Sequence, residues 1–504
     1  MASAPEAAPV QEVPAAEAPA AAPADATTGK QTIDPWSVSG AVGADGKVQA
    51  IDYTKLVADF GTRLIDEALL ERFERVVGVK PHHYLRRGIV FSHRDLGLIL
   101  DRYEKKEPFF LYTGRGPSSD SMHIGHVVPF TLTKWLSDVL DAPLVIMLTD
   151  DEKFLFSEKL SIEDVKGFSK TNVKDILAVG FNPDRTFVFS DYDYMGGDFY
   201  ANVTRIAKRI TYNTAKAVFG FDDSANIGKI HFASIQAAPS FANSFPHIFA
   251  GHPSPQKIPC LIPCAIDQDP YFRVTRDVAA GLKFAKPSLI HARFLDSLNG
   301  PGTKMSASIE SSAIFLKDTP KQILNKMNRY AFSGGQETAE QQRELGANPD
   351  VDVAYQYLRF FLEDDVELAQ IERDYRSGKM MTGEIKKRCA DELAKFCTAF
   401  QERRANVTDE DVELFMSRRP LKWRGSDQLA ALASRPKDGA AAAGGEGEGD
   451  GKPTKSQLKK LEKQRQAAEK KAAKASEKEA KAAAPAADAP AATEEAAPPA
   501  AAST

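Results

Sequence analysis

The sequence predicts an α/β protein: a Rossmann-like, doubly wound parallel sheet followed by an all-helical C-terminal domain, with disordered tails at both ends. Three observations predict it. Between residues 109 and 315 short apolar runs alternate with amphipathic stretches of helical length, and several runs are apolar at every position, as strands covered on both faces are. From 319 to about 418 that alternation gives way to successive amphipathic helices. Both ends are rich in Ala, Pro, Gly, Glu and Lys, compositions that bury too little apolar surface to order a backbone.

Residues 1–30 form an acidic Ala/Pro-rich tail carrying Glu6, Glu12, Glu17 and Asp25, with no arginine before Arg63 and no continuous apolar core. That composition argues against a secretory signal and against a mitochondrial transit peptide. No apolar run in the chain nears the roughly 20 residues needed to span a bilayer. Four cysteines in 504 residues are too few for a disulfide framework. The expectation is a reduced, cytoplasmic protein with no membrane partner. The net charge of −4 gives no global nucleic-acid signal, and DNA is not an expected partner.

Residues 31–86 read as an N-terminal extension packing near the active site, with a helical pattern over 64–77. The catalytic domain is expected over 87–318. Its strands are predicted at 109–113, 144–148, 186–189, 260–266 and 288–292, and its helices at 123–140, 162–179, 200–218 and 270–282. Cys260 and Cys264 flank Leu261-Ile262-Pro263 in an apolar run and read as strand residues; Cys389 and Cys397 lack histidines at ligand spacing. No metal site of protein ligands is expected. A helical domain follows over 319–425, where Tyr355, Leu358, Phe361 and Leu362 recur at helical spacing and read as core.

The tail, 426–504, contains a Lys-rich segment over 452–481 with eleven basic residues against four acidic ones. It reads either as an electrostatic arm for RNA phosphates or as a solvated helix serving solubility.

Two motifs carry the chemistry. The run Phe109-Phe110-Leu111-Tyr112 leads through Thr113-Gly114-Arg115-Gly116-Pro117-Ser118-Ser119 to His123-Ile124-Gly125-His126, which opens a helix. A strand, a glycine-rich turn and a helix N-terminus together present free N–H groups and a favourable dipole to an anion. His123 and His126, three apart, are expected on one face of the first turn, both donating to phosphate oxygens. Gly125 between them lets a flat base approach the backbone. About 180 residues on, Lys304-Met305-Ser306-Ala307-Ser308 follows Gly300-Pro301-Gly302, placing a cation on a mobile loop. These parts suit attack on ATP at its α-phosphate.

With these motifs in that order the chain resembles the class I aminoacyl-tRNA synthetases, whose HIGH and KMSKS signatures they are. Asp34-Pro35-Trp36, Thr149-Asp150-Asp151-Glu152-Lys153, Ile235-Gln236-Ala237-Ala238-Pro239-Ser240-Phe241, Ala265-Ile266-Asp267-Gln268-Asp269-Pro270-Tyr271-Phe272 and Ala331-Phe332-Ser333-Gly334-Gly335 narrow the likeness. They resemble the tryptophanyl-tRNA synthetase family of the eukaryotic cytoplasmic type, over about residues 33–425.

The resemblance implies ATP-driven formation of tryptophanyl-adenylate and its transfer to tRNA(Trp), with Mg²⁺ accompanying ATP, a homodimer, and anticodon binding by the helical domain. It implies catalytic roles for His123, Gly125, His126, Lys304 and Ser306, and ATP contacts for Thr113, Gly114, Arg115, Lys153 and Met305. Tyr112 is expected near the indole N–H, and Glu152, Gln236 and Gln268, at predicted strand ends, near the substrate's ammonium and carboxylate. Two positions depart from pattern. Ala307 stands where the wider class has a second lysine, a loss the eukaryotic tryptophan branch shares. Met147 stands where relatives can place a glutamine on the indole nitrogen, and a thioether is a weak acceptor. The rival readings are a tyrosine-specific synthetase and a non-catalytic RNA-binding or signalling protein on the same fold.

Overall fold

A computed structural model describes residues 31–35, 38–43, 48–249, 251–306 and 309–426. The tail expected at 1–30, nearly all of that expected at 426–504, and Ala307 with Ser308 lie outside the described residues.

The centre is a seven-stranded sheet of β1 (Arg63–Leu64), β2 (Val90–Arg94), β3 (Phe110–Arg115), β4 (Leu144–Leu148), β5 (Thr186–Ser190), β6 (Cys260–Ala265) and β7 (Ser288–Ala292), in spatial order β1-β2-β7-β6-β3-β4-β5. The five strands from β7 to β5 are parallel. Their chain order reverses between β3 and β6, the switch point at which open α/β sheets bind ligands. The sheet is not wholly parallel: β2 runs antiparallel to β7, and β1 antiparallel to β2. Neither strand was predicted. Val90-Phe91-Ser92-His93-Arg94 mixes apolar and polar residues without a clear period, and a two-residue strand has none.

Successive residues of each central strand enter different cores. Leu144, Ile146 and Leu148 join a cluster with Leu111, Ile124, Val127 and Leu261. Val145 and Met147 join one on the opposite face with Phe110, Tyr112, Phe187 and Ile262. This is the covered-on-both-faces packing that continuous apolar runs imply. The first core continues into the C-terminal helices through Ile323 and Met327 of helix Pro320–Tyr330, Leu358 of Val353–Phe361, and Cys389 and Leu393 of Thr382–Ala405.

The helix expected over 200–218 is two, Gly197–Ala207 and Tyr212–Phe219. The second starts afresh because the Thr211 side chain accepts from the Thr214 N–H, a cap that an uninterrupted helix cannot make. The one expected over 162–179 ends at Leu177. Helices Leu96–Glu104, Asp150–Phe156 and Ile227–Ala237 were not predicted.

Candidate active site

The site opens where two strands part. β3 pairs with β6 at Phe110 with Cys260 and Leu111 with Leu261, and the pairing then stops, although both strands run on to Arg115 and Ala265. Pro263, which has no N–H to leave unpaired, lies on the separated stretch and lines the resulting cavity. A cavity of about 340 Å³ lies between the strand ends. A smaller lobe of about 160 Å³ adjoins it, sharing Gly125, His126, Pro129, Ala265 and Lys304 as walls.

Most of the expected residues meet there. Tyr112, Thr113, Gly114, Arg115, Gly125, His126, Glu152, Lys153, Gln236, Gln268 and Lys304 line the larger cavity, and His123 and Met305 the smaller lobe. Ser306 is on neither wall; its backbone N–H donates to Ser312 Oγ at 3.1 Å, and its carbonyl accepts from the same hydroxyl. Gln236 is not at a strand end. It occupies the last turn of helix Ile227–Ala237, while Gln268 closes the turn between β6 and helix Asp269–Leu282.

The histidines differ from expectation. His123 is the N-cap residue of helix Ile124–Leu140, outside the first turn, and its ring stacks on that of His126 with centroids 3.5 Å apart. His126 Nδ1 accepts the backbone N–H of His123 at 3.2 Å, which leaves Nε2–H as the donor of the neutral ring. Burial, with the nearby Arg115 and Lys304 charges, holds the His123 pKa down to about 3 and that of His126 well below 6.5. At neutral pH the pair therefore supplies hydrogen bonds and no charge. A Cβ on residue 125 would sit 3.1 Å from both His123 Nδ1 and Met305 Sδ, so only glycine fits between the two motifs without displacing one. Pro129, four residues on, has no N–H to give the Gly125 carbonyl.

Positive charge comes from other residues. Arg115 Nε donates to Asn172 Oδ1 at 3.2 Å, while its Nη2 is buried without a partner. Burial lowers the Arg115 pKa to about 10, so it stays cationic. Lys153 Nζ lies 2.8 Å from Glu152 Oε2, an ion pair on the cavity wall. Lys304 is exposed and makes no hydrogen bond or ion pair among the described residues.

Phe130, Phe232, Tyr271 and Phe272 also line the cavity, and the Phe272 ring meets the Tyr112 ring edge-on with centroids 5.9 Å apart. Burial raises the Tyr112 pKa well above 10. Its hydroxyl donates to Met147 Sδ at 3.1 Å and to the Gln236 carbonyl at 3.3 Å. With its only proton engaged there, the oxygen offers lone pairs to an incoming donor.

Sequence reasoning missed Asp267, a wall residue whose Oδ1 is buried without a partner. Burial raises its pKa to about 6, against the lowering effect of Lys304. It stood inside a quoted motif, but only the turn Ile266–Gln268 shows that it borders the cavity. Also missed was a group of buried acids, Asp150, Asp151 and Asp191, with oxygens within 4.8 Å of one another. Burial raises the pKa of Asp151 to about 6 and that of Asp191 well above the usual carboxylate range. It lies behind the cavity wall and by itself assigns no ion.

The protein defined by this fold and site is a class I synthetase: the family model "tRNA synthetases class I (W and Y)" matches residues 104–398, and the chain belongs to that family. Its relatives narrow the group. It is 58% identical over 408 residues to the cytoplasmic tryptophan–tRNA ligase of Saccharomyces cerevisiae, covering 81% of this chain and 93% of that one. To the corresponding protein of Schizosaccharomyces pombe it is 59% identical over 395 residues, covering 78% and 99%. Among solved structures, a tryptophanyl-tRNA synthetase from Encephalitozoon cuniculi bound to tryptophan superposes with a TM-score of 0.68 at 42% identity, covering 73% of this chain and 98% of that one.

Proposed function

We propose that the protein is a tryptophan–tRNA ligase of the cytoplasm. A carboxylate oxygen of L-tryptophan attacks the ATP α-phosphorus, the bond to the β-phosphate oxygen breaks, and pyrophosphate leaves with the bonding electrons. The 2′-hydroxyl of the terminal adenosine of tRNA(Trp) then takes the aminoacyl group and releases AMP. The observation that carries this reading is one cavity that gathers aromatic rings and the directed Tyr112 oxygen together with Arg115, Lys153, Lys304 and the neutral His126.

An indole has one N–H and large apolar faces, which the Tyr112 oxygen and the rings around it match. Glu152, Gln236 and Gln268 are assigned to the ammonium and carboxylate, and Thr113, Gly114, Arg115, Lys153 and Met305 to ATP. His126 donates a hydrogen bond from its neutral ring, and Lys304 offsets charge growing on the departing pyrophosphate. Ser306 is assigned to holding the Lys304 loop. Mg²⁺ enters as the companion of the ATP phosphates; the three grouped acids are absent from the cavity wall, so its ligands are assigned to the substrate. We place an N-terminal extension at 31–86, the catalytic domain at 87–318, an anticodon-binding domain at 319–425, and the active form as a homodimer. The cytoplasmic location rests on relatives named as cytoplasmic. No described helix is long and apolar enough to cross a membrane.

Amino-acid-dependent ATP–pyrophosphate exchange tests the proposal. Exchange with tryptophan and not tyrosine is expected. Preference for tyrosine would assign the rival specificity, and no exchange with any amino acid would assign a non-catalytic role.

A further inference from the structure

The turn carrying Asp267 and Gln268 leaves β6 after its pairing with β3 has ended, so no strand holds it on the crevice side. Its anchor is on the other side. Asp269, the first residue of helix Asp269–Leu282, is fully buried. Its Oδ1 accepts from Arg94 Nε at 2.7 Å, and its Oδ2 from Arg94 Nη2 at 2.8 Å. His291 Nε2 reaches the same Oδ1 at 3.1 Å, and His291 Nδ1 lies 3.0 Å from Ser92 Oγ. Burial works to raise the Asp269 pKa, but the bonds from His291 and Arg94 prevail and hold it at about 2. An ionised carboxylate only accepts, so His291 carries a proton on Nε2 and donates it as a hydrogen bond to Asp269 Oδ1. Every bond to Asp269 then has one direction, toward the carboxylate.

Such an array is a poor way to gain stability, because well-packed apolar residues often serve as well or better. It does fix geometry. His291 is in register with Cys264 of β6 on one side and Ser92 of β2 on the other, so the array spans three strands to reach the residue after Gln268. Arg94 also donates to the carbonyls of Phe60 at 2.5 Å and Gly61 at 3.1 Å, the end of helix Tyr53–Phe60.

We infer that Asp269, His291 and Arg94 are positioning residues for the amino-acid half of the site: they hold the turn that presents Gln268 and Asp267 to the cavity, and none of them touches substrate. This rests on the reading of the cavity as a tryptophan site.

The test is Asp269→Asn and His291→Gln in the full chain, with pyrophosphate exchange normalised to titrated active sites. For Asp269→Asn the KM for tryptophan should rise at least about tenfold and up to about 100-fold, the scale of a misplacement near 1 Å. The KM for ATP and kcat at saturating tryptophan should move less than about threefold. His291→Gln, which leaves both Arg94 bonds to Asp269 in place, should shift the tryptophan KM in the same direction by less. A lower Tm with an unchanged tryptophan KM per active site would overturn the inference and leave a structural brace, as would a shift confined to the KM for ATP. If the wild type exchanges with another amino acid, the ligase reading fails and the same KM is read for that amino acid.

Discussion

At the scale of single residues, the proposed discrimination for an indole rests on one oxygen. The Tyr112 hydroxyl is pinned by Met147 Sδ and the Gln236 carbonyl, so the sulfur stands behind the acceptor and is absent from the cavity wall. Tyr112→Phe should lower kcat/KM for tryptophan by about 10- to 100-fold, the scale of a buried donor left unpaired. Met147→Gln should change it by less than about threefold, because Gln236 still holds the tyrosine proton. A large loss in the glutamine variant beside a small one in the phenylalanine variant would move the acceptor role to position 147. His123 gives a second prediction. Its folded pKa of about 3, against an ordinary 6.5, means that the unfolded chain binds more protons between those values. Stability therefore falls as pH drops through 6.5 toward 3, and this contribution is level above 6.5. His123→Gln should reduce the stability difference between pH 7 and pH 5 by about 2 kcal/mol. Denaturant unfolding of both proteins at the two pH values measures it, and equal differences would mean that the ring charges freely in the fold.

At the scale of elements, the central strands and the helix behind the histidines were legible because each is written locally. Apolar runs marked 144–148 and 288–292 to the residue. Other features depend on partners distant in sequence. β2 exists because β7 offers it an edge, and Gln236 reaches the cavity from a helix that the sequence did not announce. The neutrality of the histidines was hidden for the same reason, since it follows from burial that folding alone produces. Asp267 was visible in the sequence as a residue of a motif, but its place on the cavity wall follows only from the turn Ile266–Gln268. The loop bearing Lys304 belongs to the legible part, and its prediction is sharp. Lys304→Ala should leave tryptophan binding nearly intact and slow adenylate formation by about two to three decades, or about 2.7–4 kcal/mol. Equilibrium binding and single-turnover kinetics separate the two. A defect confined to the KM for ATP would show that the lysine acts only in the ground state.

At the scale of the whole molecule, the site is a meeting of segments that folding brings from far apart in the chain, and the sheet and C-terminal helices share one core beneath it. The segment following the Lys304 loop returns to the start of the histidine helix. The Ile124 N–H donates to the Ile314 carbonyl at 3.0 Å, and the Leu316 N–H to the Met122 carbonyl at 3.1 Å. The Phe315 N–H donates to Asp318 Oδ2 at 2.8 Å, and the same oxygen pairs with buried Lys326 at 2.8 Å. This backbone seam is expected to separate slow from fast local motion. Below it the histidine motif and residues 314–316 are hydrogen-bonded together, whereas above it the exposed Lys304 makes no hydrogen bond or ion pair among the described residues. In hydrogen exchange the amides of Ile124 and Leu316 should open only with global unfolding, and those of Lys304 and Met305 should exchange orders of magnitude faster. Equal protection would mean that the loop is part of the rigid body. Unequal protection means that the Lys304 loop moves while the start of the histidine helix stays in place, as the role proposed for the lysine requires.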